Sequence, residues 1–153
     1  MDRRGMTLID RRDLIEEARE WIGTPYHYRA AVKGAGCDCV GLINALRAWA
    51  LGETPLEMPA YSRDFANSAA NETLLAAGYQ NLVPIALGTE RPGDVVAFRW
   101  RDRMAVMHVG LLVENDRVIH ARRVTGVCEV SILPWRDHGR LAAAFSFPGV
   151  TSW

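Results

Sequence analysis

Residues Gly34 to Leu42 read Gly-Ala-Gly-Cys-Asp-Cys-Val-Gly-Leu and hold two of the chain's three cysteines, Cys37 and Cys39, one residue apart. Beyond them Val40, Ile43, Leu46, Trp49 and Ala50 recur at helical spacing, and Gly52 supplies a stop. This pattern predicts a helix from Cys39 to about Leu51 with those five residues facing the core. Asp38 then stands where a side-chain oxygen caps the helix, a structural role that outweighs direct chemistry. A thiol on the first turn meets the positive end of the helix dipole and unpaired backbone N–H groups, which favour thiolate and suit an oxyanion. Other readings stay open. Cys39 as a buried structural thiol is one, a strained disulfide between neighbours at i and i+2 another, and a zinc site with two histidines a third. Cys-x-Cys is shorter than the usual zinc-ligand spacing. Cys37 itself reads as structural or exposed.

Upstream, Leu14, Ile15, Ala18, Trp21 and Ile22 fall on one face of a helix spanning Asp10 to Ile22, stopped by Gly23-Thr24-Pro25. The Leu14/Ala18/Trp21 stripe is core rather than a cofactor box. Residues 24–38 read as an ordered loop. Downstream, a short helix is expected over Asn71–Ala77, ended by Gly78. The second half changes period. Arg91-Pro92-Gly93-Asp94 is a turn, and Val95–Phe98, Val106–Val113, Arg117–Ala121, Val127–Leu133 and Ala142–Phe147 read as strands. Helices first and hairpin-linked strands after indicate an α+β fold, with N-terminal helices packed on one antiparallel β-sheet. At 153 residues the chain is expected to form a single domain, 1–153.

Hydrophobic content of 49% and charged content of 24% are ordinary globular values, and a formal net charge of zero gives no reason to expect a nucleic-acid partner. No apolar segment is long enough for a membrane span. The doublets Arg3-Arg4 and Arg11-Arg12 sit among Asp2, Asp10 and Asp13 with no apolar stretch behind them. A cleaved export signal is therefore not expected, and an odd number of cysteines argues against a disulfide framework. Synthesis in a reducing cytoplasm follows.

A cysteine nucleophile needs a base, and the chain has four histidines. His108 and His120 lie in neighbouring strands joined by the turn Glu114-Asn115-Asp116, so a hairpin can bring them side by side. Cys39, His108 and His120 then supply nucleophile, base and orienter. His27 and His138 fall in loops and Cys128 in a strand core. Trp100, Trp135 and Trp153, if exposed, are candidates for contact with sugar or a neighbouring protein.

Asp38-Cys39-Val40-Gly41-Leu42 resembles the Asp-Cys-Ser-Gly-hydrophobic motif of the NlpC family of cell-wall cysteine peptidases. His108-Val109-Gly110 resembles its His-Val-Gly segment, His120-Ala121 its His-Ala segment, and Gly23-Thr24-Pro25-Tyr26 its Gly-x-x-Tyr approach. Arg91-Pro92-Gly93-Asp94 resembles its Pro-Gly-Asp turn. The matches run in order from about residue 12 to 122. The wording Gly-Cys-Asp-Cys-hydrophobic-Gly-Leu is most similar to the branch encoded by phages and gene transfer agents. The chain departs from the pattern at Val40, where the family has Ser, and at Arg29-Ala30-Ala31, where it has a Gly-Gly pair.

The resemblance implies a papain-like fold and hydrolysis of peptidoglycan stem peptides, often between D-glutamate and diaminopimelate, without metal or organic cofactor. It implies Cys39 as nucleophile, His108 as general base and His120 as its orienter, with Tyr26 supporting the oxyanion or substrate. Further expectations are a peptidoglycan peptide as substrate and phage-like tail proteins as partners. The protein would then be made in the cytoplasm without a signal peptide, carried on a particle, and active in the periplasm of a target cell. The alternative is a structural tail-tip component with a peptidase-like fold and little catalysis.

Overall fold

The computed structural model describes residues 8–58, 73–100, 106 and 108–150. Helix α1 (Arg11–Glu20) starts where the Asp10 carboxylate accepts the Arg12 backbone N–H at 2.8 Å. A two-stranded hairpin, β1 (Ala31–Val32) and β2 (Gly36–Cys37), follows within the segment expected to be loop. Helix α2 (Cys39–Leu51) begins at Asp38 and ends on Gly52 in the left-handed conformation, φ 67°. Its residues Leu42 and Leu46 are fully buried, which contributes roughly 1.5–3 kcal/mol each. Two residues expected to face the core do not: Ile22 is 45% and Trp49 48% exposed, because the apolar stripe of each helix is wider than the face its neighbours cover.

Helix α3 (Thr73–Asn81) runs through Gly78 rather than stopping there. A Cβ at Gly78 would sit 2.8 Å from the Phe145 ring, so the glycine is there for close packing and not for a cap. Asn71 of the expected helix lies outside the described residues. The strands β3 (Val83–Ile85), β4 (Val95–Phe98), β5 (His108–Val113), β6 (Arg117–Arg122), β7 (Gly126–Ser131) and β8 (Leu141–Ser146) form one antiparallel sheet in the order β3-β8-β4-β5-β6-β7. The expected strand through Leu133 ends earlier, because Pro134 lies in the first turn of the short helix α4 (Leu133–Asp137). β3 was not foreseen: it is three residues long and its middle residue is a proline.

Alternation along the strands splits the sheet into two apolar faces. Val95, Ala97, Leu111, Val113, Ile119 and Ala121 join the core made with α1 and α2. Val96, Phe98, Leu112 and Val118 meet Ile132 and Ala144 on the opposite face. Because both faces are covered, these strands read as continuous apolar runs. The Pro-Gly-Asp turn is the bolt between helix and sheet. The Arg11 guanidinium donates to Asp94 at 2.8 Å and to the Pro92 carbonyl at 3.1 Å, and the Ser146 hydroxyl donates to Asp94 at 2.6 Å. Arg11 and Asp94 are both buried.

Removing one partner of a buried pair strands the other. Asp94→Ala is therefore expected to lower the unfolding free energy by about 3–5 kcal/mol, read from the urea midpoint. Arg12→Ala, which breaks an exposed pair with Asp10, should leave the midpoint unchanged.

Candidate active site

The loop before α2 is folded so that Cys39 has one place to go. Asp38 is buried, and its carboxylate accepts the Gly41 backbone N–H at 2.7 Å and the Arg29 backbone N–H at 2.7 Å. The Asp38 N–H in turn donates to the Ala30 carbonyl at 3.2 Å. A Cβ on Gly41 would lie 1.9 Å from that carbonyl oxygen, so only glycine lets the loop rest on the helix start. Val40 turns into the main core instead of offering a hydroxyl, which absorbs the departure from the serine of the motif. Cys37 is a free, fully buried thiol whose backbone exchanges hydrogen bonds with Pro25 and His27 on either side of Tyr26. The neighbour of Cys39 thus holds Tyr26 in place through its main chain. Cys128, expected in the core, is instead partly exposed beside Thr125.

Cys39, Tyr26 and His108 line one cleft of about 190 Å³ together with Trp100, Ala121, Arg122, Arg123 and Val124. Burial first, and then the Asp38 carboxylate, push the Cys39 thiol up to about 12; the N–H groups of Val109, Val40 and Cys39 itself pull the other way. The thiolate expected from the helix dipole is therefore not the resting form. A helix terminus contributes typically about 0.3–1 kcal/mol, less than burying an anion costs.

His108 Nε2 and His120 Nδ1 lie 2.6 Å apart. The β5–β6 register pairs Leu111 with Ile119, and continuing it sets Gly110 opposite His120 and His108 level with Arg122. A Cβ at Gly110 would lie 2.7 Å from Val118 Cγ2, 3.1 Å from the Ile119 carbonyl oxygen and 3.3 Å from the His120 Cβ, so the glycine lets β6 pass close to β5 where His120 sits. Since Nε2 of His108 is used on His120, Nδ1 is the nitrogen left to take a proton. Both rings are buried, His120 completely, and burial lowers His120 to about 4 and His108 well below its usual value, with Arg122 adding to each.

Aromatic side chains wall the pair. Trp100 lies 5.2 Å and Phe98 5.5 Å from the His108 ring, and Trp135 stands edge-to-face with His120 at 5.6 Å. Trp100 and Trp135, candidates for contact with sugar or a neighbouring protein if exposed, are half-buried against the histidines because Phe98 and the rings themselves offer apolar surface; Trp153 lies outside the described residues. His27 and His138 are exposed and away from the cleft lining. Among the described residues no group of three His, Cys, Asp or Glu is placed to hold a metal ion, so the zinc reading has no site there. No described helix is long and apolar enough to cross a membrane. Arg122 and Arg123 were not foreseen. The available signal was their position directly after His120-Ala121, at the end of the same strand.

Residues 23–138 match the profile of the NlpC/P60 family. The chain belongs to the NlpC/P60 family. Curated relatives include a probable endopeptidase of Mycobacterium bovis, 30% identical over 112 residues that cover 73% of this chain and 23% of that protein. The gamma-DL-glutamyl hydrolase of Bacillus subtilis is 28% identical over 110 residues, covering 72% and 23%. The chain thus spans about a quarter of the length of these relatives, 23% in each case. Among solved structures, the NlpC/P60 domain of the peptidoglycan hydrolase SagA aligns with TM-score 0.62 at 20% identity, over 90% of this chain and 99% of that one. RipD of Mycobacterium tuberculosis, described as a non-catalytic NlpC/P60 domain adapted to peptidoglycan binding, aligns at 0.56 with 14% identity, covering 89% and 95%. These structures share the papain-like α+β fold.

If the Asp38 charge is felt at the thiol, Asp38→Asn keeps an acceptor for Gly41 and removes the anion. The midpoint of Cys39 alkylation against pH, followed by peptide mapping, is expected to move downward. The loss of a good partner for the Arg29 N–H should cost about 1–3 kcal/mol of stability.

Proposed function

We propose that this NlpC/P60 domain is a cysteine endopeptidase that hydrolyses peptidoglycan stem peptides, at a D-glutamyl–diaminopimelate type of bond. The observation that carries the reading is the buried histidine pair at 2.6 Å, whose His108 lines the same cleft as Cys39. The chemistry follows from neutral partners. Cys39 begins as a thiol; as its sulfur attacks the scissile carbonyl, its proton passes to His108 Nδ1. His108 Nε2–H then donates to His120 Nδ1, which holds the ring and spreads the new positive charge. N–H groups at the start of α2 face the developing oxyanion. Arg123 donates to the Tyr26 phenol oxygen, leaving the Tyr26 O–H to donate into the cleft as well. His108 next returns its proton to the departing amine, and water, deprotonated by the same ring, hydrolyses the thioester.

Support for the bond type comes from the stem-peptide chemistry implied by the motifs and from the glutamyl hydrolase relative. The wording around Cys39 further supports the branch carried by phages and gene transfer agents. On that reading the domain is made in the cytoplasm, rides on a phage-like tail, and acts on the wall in the periplasm of the target cell. A second reading, a wall-binding or tail-tip component with little catalysis, is favoured by the likeness to RipD.

Purified protein is expected to release muropeptide fragments from peptidoglycan, read by mass spectrometry, with Cys39→Ala and His108→Ala inactive and His120→Asn retaining a fraction. Equal inertness of wild type and Cys39→Ala with intact wall binding would favour the second reading. Tail association is checked by finding the chain in purified particles.

His108 acts as base only when neutral, so activity is present above its pKa and lost below it. Because burial lowers that pKa well beneath 6.5, the acid limb of kcat/KM is expected below pH 6.5. A limb at or above that value would count against His108 as the buried base.

A further inference from the structure

The rim of the cleft carries a guanidinium, that of Arg122, which the mechanism leaves unused. Among the described residues the cleft lining holds the guanidinium groups of Arg122 and Arg123 and no carboxylate. Asp38, behind the cleft, is buried and turned onto backbone N–H groups. The histidines contribute no compensating charge of either sign while they are neutral. Elsewhere on the surface Arg19, Arg47, Arg117 and Arg136 each close on a carboxylate. Arg122 has no acidic partner among the described residues, although it sits beside the nucleophile.

The backbone that carries the two arginines is held in place. β6 ends at Arg122, and the turn to β7 returns through Gly126 at φ 72°. That glycine rests on the loop before Tyr26: its added Cβ would lie 2.3 Å from the Thr24 carbonyl oxygen. Val127 donates to Thr24 at 2.9 Å and Gly23 to Val127 at 3.0 Å. The hairpin tip is thus fastened to the segment that positions Tyr26, and Arg123 donates to the Tyr26 hydroxyl. A guanidinium carried on such a fastened backbone offers a planar fork of donors that matches a carboxylate.

We propose that Arg122, supported by Arg123, forms a carboxylate subsite on the rim, which selects stem peptides bearing a free carboxylate next to the scissile amide over their amidated forms. The proposal rests on the peptidase reading for its substrate, but binding tests it separately. In cells that amidate these carboxylates, such a subsite would make amidation protective.

The test uses three synthetic peptides built on L-Ala-γ-D-Glu-diaminopimelate: the free acid, the form amidated on the glutamyl α-carboxylate, and the form amidated on the diaminopimelyl carboxylate beside the bond. Their affinities for the Cys39→Ala protein are measured by calorimetry. One amidated form is expected to bind more weakly than the acid by on the order of tenfold, the worth of one charge-assisted bond. Arg122→Gln should erase that ratio by weakening the acid alone, and Arg122→Lys should restore part of it. Equal affinity for all three peptides, or an unchanged ratio in Arg122→Gln, overturns the subsite. Cleavage by wild type is followed in parallel. Discrimination in binding without cleavage sinks the peptidase reading and leaves the subsite, whereas cleavage without discrimination does the reverse.

Discussion

The buried carboxylate of Asp38 is the constraint on which the site depends. An anion withdrawn from water must be met by donors, and here the donors are main-chain N–H groups from two segments, Gly41 on the helix and Arg29 on the loop. Meeting them starts α2, seats the loop on the helix, and leaves Cys39 as the first helical residue at the cleft. The loop in turn carries Tyr26 through its bridge to Cys37. One carboxylate therefore sets the position of the thiol and, through the hairpin between, of the phenol.

That same carboxylate opposes the thiolate, and so does the burial that packs the helix. The site is built from neutral groups in an apolar surround: a thiol, two imidazoles and the rings of Phe98, Trp100 and Trp135. Among the described lining residues, the charged side chains are Arg122 and Arg123. An aromatic-walled interior lies behind a rim that carries arginines. On the function proposed above, proton transfer between neutral partners would run inside, where each charge that forms is felt strongly, and an anionic ligand would be met at the rim.

Much of this was legible before the fold was known. The Asp38–Leu51 helix and its cap, the antiparallel hairpins, and the pairing of His108 with His120 all follow from local pattern and turn residues, since strands joined by a tight turn are neighbours in space. What escaped was set by neighbours distant in sequence. Gly78 looks like a helix stop and is a seat for Phe145; Trp49 looks like core and faces outward; residues 31–37 look like loop and form a hairpin that serves Tyr26. The arginines at the cleft look like any polar turn until the hairpin is placed against Thr24.

The sequence by itself determined the fold class, the helix that presents Cys39, and the order of thiol and histidines, because periodicity, caps and turns act over a few residues. Only the tertiary structure decided the charge state of the site. Whether a thiol is lowered by a helix end or raised by burial, and whether an arginine is paired or left facing a cleft, depends on what the rest of the chain packs around it. Desolvation has no local signature in the sequence.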